Sequence, residues 1–209
     1  MKKILFIALL LNSCFLSAQE ADSISKQEQP NPFLTKGITK FNTGNFKGAL
    51  IDLNQAIESN PKDAEAYYYL GETNFMLGDN KGAMTSYNKA IEYNYKHSKS
   101  YKSRGKLKAK MQDYKGSVKD FTKAIDLNPD YSDAYFNRGL SYNNLKQYKE
   151  AITDFSRVIE FNPKDYEAYL NRGHAKYNSG DKNAACLDWS KAGELGYFEV
   201  YETIKKYCN

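Results

Sequence analysis

A glycine recurs every 34 residues along this chain, and this period constrains the fold more than any other feature of the sequence. The five glycines are Gly37, Gly71, Gly105, Gly139 and Gly173. Each has an aromatic residue four positions before it and a small residue 12 positions after it. A bulky apolar residue follows four positions later, and Ala or Val stands three positions beyond that. Five columns kept without an insertion predict five copies of one structural unit.

The spacing inside each unit predicts two antiparallel helices. The aromatic residue and the glycine, at i and i+4, share one face of a first helix, and the later columns share one face of a second helix. Turns are predicted around Gly44, Gly78 and Gly180, and proline ends the second helix at Pro61 and its equivalents. The glycine allows close approach of the two helices, and a large side chain fills the space beside it. The bulky column consists of Leu53, Tyr87, Phe121, Phe155 and Trp189.

This pattern resembles the tetratricopeptide repeat (TPR). The resemblance covers residues 30–199, in repeats 30–63, 64–97, 98–131, 132–165 and 166–199. It implies an all-α fold: a right-handed superhelix, or α-solenoid, of five helix-turn-helix repeats whose first helices line a concave groove. The first repeat departs most from the family pattern, because Lys40 stands where the family usually has an apolar residue.

The region after the last repeat has the pattern of a C-terminal capping helix within residues 200–209. A solenoid leaves its last apolar face uncovered and needs such a cap. An apolar stripe runs through Tyr197, Val200, Tyr201, Ile204 and Tyr207. A helix lying on a membrane surface is the alternative interpretation.

The first 18 residues have the layout of a secretory signal peptide. Lys2 and Lys3 precede an apolar run over 4–11, and Ser17 and Ala18 form a small-residue exit. The run is too short for a membrane span. We expect cleavage after Ala18, export to the periplasm or beyond, and a flexible polar leader at 19–29. The alternative is a lipoprotein anchored through Cys14.

After cleavage, two cysteines would remain. Cys186 and Cys208 stand at similar distances on either side of the predicted turn at Gly196, so an antiparallel helix pair would place them opposite each other. A disulfide is therefore predicted in an oxidising compartment, with an unbonded, buried apolar Cys186 as the alternative. Three cysteines and two histidines in the whole chain give no metal-site spacing.

A second set of columns carries paired charges. Arg104, Arg138 and Arg172 are each followed 16 residues later by an aspartate, at Asp120, Asp154 and Asp188. Repeat 1 has Lys36 with Asp52 at these positions, whereas repeat 2 has Leu70 with Ser86. Charge and counter-charge appear or vanish together, which favours structural ion pairs over a row of ligand-binding arginines.

The family resemblance implies which residues line the groove. Repeat 2 contributes Glu65, Tyr68, Glu72, Phe75 and Met76, and repeat 3 contributes Lys99, Lys102, Lys106 and Lys110. Repeat 4 contributes Asp133, Phe136, Leu140, Asn143 and Asn144, and repeat 5 contributes Glu167, Leu170, His174 and Tyr177.

The four lysines form one stripe along a single helix. A stripe beside Phe136 and Leu140 suits an extended acidic or C-terminal peptide with an apolar anchor; a solvated charged face is the alternative. The lysine-and-asparagine clamp of some family members is not present, because its first-repeat positions hold Leu34 and Ile38.

The sequence favours an interaction protein over an enzyme. It has no phosphate loop, no nucleophile elbow and no metal-ligand spacing, so neither catalytic activity nor a cofactor is expected. The net charge of +5 is modest, and nucleic acid is not an expected partner. We expect an exported scaffold that binds a protein or peptide. A lipid-anchored factor for envelope assembly and a structural spacer without a ligand are the alternatives.

Overall fold

The computed structural model describes residues 31–208, and its regular secondary structure there consists of eleven helices in successive pairs, as predicted. The helices are α1 (Pro32–Asn42), α2 (Phe46–Ser59), α3 (Ala64–Met76), α4 (Asn80–Tyr93), α5 (Ser98–Lys110), α6 (Tyr114–Leu127), α7 (Ser132–Asn144), α8 (Tyr148–Phe161), α9 (Tyr166–Asn178), α10 (Lys182–Glu194) and α11 (Val200–Tyr207). The predicted signal peptide (1–18), the leader (19–29) and Cys14 lie outside the described residues.

The turn between the two helices of a repeat has one backbone pattern throughout. In repeats 1, 2, 3 and 5, an Asn or Asp before the second helix accepts a hydrogen bond from the backbone N–H three residues later; in repeat 2, Asp79 Oδ1 accepts from Gly82 at 2.8 Å. Repeat 4 has Gln147 at this position, and its side chain makes no such bond. The residue just before this N-cap is left-handed, and in three repeats it is glycine, as at Gly78 with φ +84°. In repeats 3 and 4, Gln112 and Lys146 adopt the same conformation, with φ of +62° and +59°.

Contact between the glycine column and the bulky column holds each helix pair together. A Cβ built on Gly71 would lie 2.5 Å from the Tyr87 ring, and one on Gly139 would lie 2.9 Å from the Phe155 ring. These rings are 1% and 0% exposed. Alanines on the second helix are equally buried, so the two helices meet closely beside each ring.

The first helices lie on the inner side of the superhelix. Across residues 31–208, the first helices of successive repeats contact each other more than the second helices do. A stack of helix pairs curves towards the side on which its elements are closer. The chain is therefore a right-handed solenoid whose concave face is formed by α1, α3, α5, α7 and α9.

Helix α1 forms despite its unusual Lys40. The Lys40 ammonium lies 2.6 Å from the Asp52 carboxylate on α2, so its charge is neutralised within the repeat. Asn31 caps the start of the helix by accepting from the backbone N–H of Phe33 at 3.0 Å.

Helix α11 closes the C-terminal end, as the apolar stripe predicted. Val200 is 1% exposed and packs with Trp189 and Ala185 of repeat 5, and Ile204 packs against the same cluster. Tyr201 belongs to the predicted stripe but is 48% exposed. The cap therefore buries Val200 and Ile204 more completely than its tyrosines.

Replacing Gly71 with alanine tests the glycine–ring contact. In an isolated helix, Gly→Ala stabilises by about 1 kcal/mol. Here the added methyl group would overlap Tyr87, so we expect a loss of about 1–3 kcal/mol in the free energy of unfolding, measured by chemical denaturation. Lys123→Ala, at an exposed site on α6, is the control for an ordinary helical substitution. A Gly71→Ala variant as stable as the parent would contradict this account.

Candidate functional site

The lysine stripe lies on α5, in the middle of the concave face, but its members point in two directions. The outer lysines reach back to repeat 2: the Lys99 ammonium lies 3.7 Å from a Glu65 carboxylate oxygen, and that of Lys110 lies 4.7 Å from the Phe75 ring centroid. The middle lysines, Lys102 and Lys106, reach forward to repeat 4. The stripe predicted from one helix is thus divided between its two neighbours.

Asp133 on α7 joins the two middle lysines. One of its carboxylate oxygens lies 3.0 Å from Lys102 Nζ and 2.9 Å from Lys106 Nζ. Burial opposes ionisation of Asp133, but the hydrogen bonds from Lys106 and Lys102 outweigh it and hold the pKa of this carboxyl below its ordinary value. The groove therefore carries less net positive charge than the lysines alone suggest.

A second carboxylate, Glu65, is held by His97 and Lys99. His97 Nε2 lies 2.7 Å from Glu65 Oε2, and its Nδ1 lies 2.6 Å from the hydroxyl of Ser100. The hydrogen bond from His97 is the main reason why the pKa of Glu65 is lowered. Ser100 is fully buried, so this Glu–His–Ser contact braces repeats 2 and 3 and does not present a nucleophile.

A small cavity of about 80 Å³ opens between repeats 2 and 3. The Tyr87 hydroxyl donates to Glu72 at 2.6 Å, and burial, together with the negative charge of Glu72, raises the pKa of the Tyr87 phenol. The groove residue Tyr68 packs against the buried cluster that contains Tyr87, and its ring centroid lies 5.2 Å from that of His97. The cavity is lined by Glu72, Phe75, Tyr87, Lys102, Ser103 and Lys106.

The apolar part of the groove is on α7. Phe136 and Leu140 are half-buried and pack against the buried Phe155 and Ala175. The ring centroids of Phe136 and Phe155 are 5.6 Å apart. Because Asp133 precedes Phe136 by three residues on the same helix, the middle lysines and these apolar side chains occupy adjoining parts of one surface. Asn143 lies one turn beyond Leu140, also half-buried.

The groove ends in an aromatic cavity of about 260 Å³ between repeat 5 and the cap. His174 and Tyr177 of α9 lie 5.4 and 5.6 Å from the Trp189 ring, centroid to centroid. Burial lowers the pKa of His174. The remaining lining residues are Asn178, Thr203 and Tyr207.

Sequence reasoning did not assign Tyr87, Ser103, Trp189 or Tyr207 to the groove. A signal was present for Tyr87, since it is the one hydroxyl-bearing residue of the bulky column. The sequence pattern assigns Trp189 to the core column and Tyr207 to the stripe of the cap.

The three arginines bridge helices of adjacent repeats. Arg138 Nε and Nη2 each donate to one oxygen of Asp154 at 2.8 Å, and Nη1 donates to Thr122 on the preceding repeat at 3.0 Å. Arg104 and Arg172 make the equivalent paired contacts with Asp120 and Asp188. The aspartates are 3–5% exposed. Because Nε, Nη1 and Nη2 of each arginine all donate to residues of the protein, these arginines act as structural braces.

One sequence assignment needs correction: Asp52 does not pair with Lys36. The Lys36 ammonium lies 5.8 Å from the Phe33 ring centroid, while Lys40 contacts Asp52. Lys40 stands in the same column as Lys108 and Lys176, which add a second cation to Asp120 and Asp188 at 2.7 Å. In repeat 1, where the arginine is replaced by Lys36, Lys40 is the cation that balances the charge of Asp52.

Cys186 and Cys208 form a disulfide in the structure, with their Cα atoms 5.8 Å apart. The bond joins α10 to the residue that follows α11, so it fastens the cap to the last repeat. A bridge across 22 residues restricts the unfolded chain and stabilises the fold by about 3 kcal/mol.

Within residues 31–208, no cluster of three or more His, Cys, Asp or Glu side chains could hold a metal ion. The same part of the chain contains no helix long and apolar enough to cross a membrane.

Family comparisons agree with this architecture. Two models described as "Tetratricopeptide repeat" match residues 34–97 and 132–165, and a third described as "TPR repeat" matches 105–146. Together they cover more than half of the chain. The chain belongs to the tetratricopeptide repeat family.

Solved TPR structures have the same fold. A crystal structure of MamA is 25% identical, with a TM-score of 0.71, and the match covers 84% of this chain and 93% of MamA. A MamA fragment from Desulfovibrio magneticus RS-1 is 21% identical, with a TM-score of 0.73 and coverage of 78% and 92%. YrrB, titled as a TPR protein with an unusual peptide-binding site, is 21% identical, with a TM-score of 0.76 and coverage of 90% and 97%. No curated protein sequence matches the chain.

The second TPR repeat supplies a natural template for testing the arginine braces. Arg138→Leu leaves Asp154 buried without its partner, and we expect a loss of about 3–5 kcal/mol in the free energy of unfolding. The double variant Arg138→Leu/Asp154→Ser copies Leu70 and Ser86 of repeat 2 and is expected to recover most of this loss in chemical denaturation. Equal losses in the single and double variants would show that the two residues are not coupled.

Burial of His174 predicts a dependence of stability on pH. Its folded-state pKa lies below the ordinary value of 6.5, so the unfolded chain takes up this proton first as the pH falls. The fold should therefore lose stability between about pH 7 and pH 5. In His174→Gln, thermal unfolding should show a shallower decline over that range. An identical decline in the variant and the parent would assign the effect to other groups.

Proposed function

We propose that this TPR chain is a non-enzymatic interaction scaffold whose concave groove binds an extended segment of a protein or peptide. The observation that carries the proposal is the arrangement on α5 and α7. Exposed lysines on α5 adjoin half-buried apolar side chains on α7, and both helices belong to the inner layer of the superhelix. A folded core does not require either feature, whereas an extended peptide can use both.

The charges define what the segment should contain. Lys99 and Lys106 have side chains that are 52% and 41% exposed, and Lys110 is also exposed, so all three can turn to a bound carboxylate. We infer that the partner carries one or two acidic residues. Glu65 and Asp133 already occupy part of the lysine stripe, so a more acidic segment would find no further free ammonium groups to bind.

The apolar surface defines the second requirement. Phe136 and Leu140 leave part of their side chains accessible on the inner face, and the aromatic cavity beside His174 and Tyr177 lies further along the same groove. A bulky apolar side chain placed on this surface would bury area that is now exposed to water. We infer a partner that follows its acidic residues with an apolar anchor.

We further propose that the protein works outside the cytoplasm after removal of residues 1–18. The charged start, apolar run and small-residue exit support this, and so does the Cys186–Cys208 disulfide, because such bonds persist in oxidising compartments. Metabolic labelling with a radioactive fatty acid distinguishes the competing lipoprotein: label lost in Cys14→Ser would establish the anchor and overturn simple secretion.

A peptide selection tests the groove directly. Residues 19–209 are used to select binders from a library of random peptides, and affinities are measured by fluorescence anisotropy. We expect selected peptides that combine an acidic residue with a bulky apolar one. Lys99→Glu/Lys106→Glu/Lys110→Glu should bind them at least roughly tenfold more weakly, since three charge-assisted contacts are reversed.

The matched control places the same three charge changes outside the groove. Lys62→Glu/Lys96→Glu/Lys164→Glu alters exposed lysines in the loops between repeats and should leave the affinity unchanged. Equal weakening by both triple variants would reduce the effect to overall charge and overturn the groove site. A library that yields no binders would favour a spacer without a ligand.

A further inference from the structure

The edge of the solenoid where each first helix turns into the second carries a regular row of lysines. Lys47, Lys81, Lys115 and Lys149 stand 34 residues apart, one in each of the first four repeats. All four are exposed, and none forms an ion pair with another residue in 31–208. In this they differ from the middle groove lysines, which share Asp133. We call residues 77–81, 111–115 and 145–149, together with Lys119, the turn edge.

Apolar side chains are exposed between these lysines. Leu77 in repeat 2 is 41% exposed, and Met111 in repeat 3 is 59% exposed. Leu145 occupies the same position as Leu77 and Met111 in repeat 4 and is half-buried. Three consecutive repeats therefore have an apolar residue at the tip of the turn. The turn geometry does not require one, since repeats 1 and 5 have Thr43 and Ser179 at this position.

The two kinds of side chain meet in one open cavity of about 410 Å³. Lys115, Val118 and Lys119 of α6 line one side, and Leu145 and Gln147 of the next repeat line the other. A cavity lined by two lysines and by the apolar Val118 and Leu145 can accept a ligand that has both a negative charge and an apolar part.

Backbone strain points to the same edge. The left-handed position of the turn is glycine in repeats 1, 2 and 5 but Gln112 and Lys146 in repeats 3 and 4. A non-glycine residue in this region costs about 1 kcal/mol. Lys146 thus adds a cation to the turn edge at a position where glycine would be easier to fold, which suggests a role outside stability.

The acidic residues of this edge do not cancel its charge. Asp79 and Asp113 are the helix N-caps, each accepting a backbone hydrogen bond from a glycine, and Glu150 follows Lys149 directly. The cations outnumber these three carboxylates, and they are Lys81, Lys115, Lys119, Lys146 and Lys149.

We propose that the turn edge is a peripheral binding surface for an anionic lipid bilayer. A bilayer with anionic headgroups is broad enough to meet one lysine per repeat at once, and its acyl region accepts the exposed methionine and leucine side chains. The groove remains open to its peptide in this orientation, because Lys81, Lys115 and Lys149 stand on the second helices, whereas the groove is formed by the first helices.

Vesicle co-sedimentation of residues 19–209 tests the proposal; this form lacks the apolar run over 4–11, which could bind lipid by itself. We expect binding to vesicles of phosphatidylcholine with phosphatidylglycerol and none to phosphatidylcholine alone. Each lysine near an anionic surface contributes roughly fivefold in affinity, so Lys81→Gln/Lys115→Gln/Lys149→Gln should bind roughly 100-fold more weakly.

Two controls separate a bilayer site from general charge attraction. Lys62→Gln/Lys96→Gln/Lys164→Gln makes the same charge change on the opposite edge and should bind as the parent does. Leu77→Ser/Met111→Ser keeps every charge and should also weaken binding. Equal weakening by both lysine variants, or full binding by the serine variant, would overturn the proposal, as would failure of the parent to bind anionic vesicles.

Lys146→Gly tests the strain argument separately. Relief of the left-handed conformation should raise the thermal midpoint by roughly 2 °C, while loss of the cation weakens vesicle binding roughly fivefold. A variant that binds vesicles as well as the parent would contradict a role for this lysine. A lowered midpoint would contradict the strain on which the inference partly rests.

Discussion

Close contact between a glycine on one helix and a bulky side chain on the next fixes the geometry of each repeat, and the remaining features follow from it. Because Gly71 or Gly139 has no Cβ, the Tyr87 or Phe155 ring lies directly against the first helix. This sets the separation within a pair. Repeating the same pair five times produces the curvature that brings the first helices together on the inside. Side chains three residues before the glycine and one residue after it then face the groove, whatever their chemistry, so the sequence could vary there without changing the fold.

The degree to which charged side chains are paired differs between the surfaces of the protein. Between the helices, each arginine is paired with a buried aspartate, as at Arg138 and Asp154, where an unmatched charge would be costly. In the groove, Asp133 and Glu65 neutralise part of the lysine stripe while leaving several ammonium groups accessible. Along the turn edge, lysines remain without counter-ions among residues 31–208 and stand beside exposed apolar residues. Structural pairs, a partly neutralised groove and an uncompensated edge are therefore three separate uses of the same residue types.

Repeat periodicity made the fold predictable. Residues at the same position of every repeat show which face of a helix is buried and which helix packs against that face. It also indicated which charges occur together, since Leu70 and Ser86 replace a pair in repeat 2. The local contacts were harder to predict. Spacing along α5 placed four lysines on one stripe, but it could not show that Asp133 on the next helix would lie between two of them. The pairing of Asp52 with Lys40 was missed because the arginine column suggested Lys36. The left-handed conformations of Gln112 and Lys146 were not predicted, because the turns were predicted from glycine and these two turns contain none.

Site-specific photo-crosslinking in the native host tests most directly the claim that the concave face is the protein's peptide-binding surface. A photoreactive amino acid is placed at Leu140 in the groove and, in a second variant, at Leu187, which is 73% exposed on the second-helix face. The account predicts a discrete protein adduct from position 140 after irradiation and none from position 187. Adducts from position 187 with none from position 140 would contradict it.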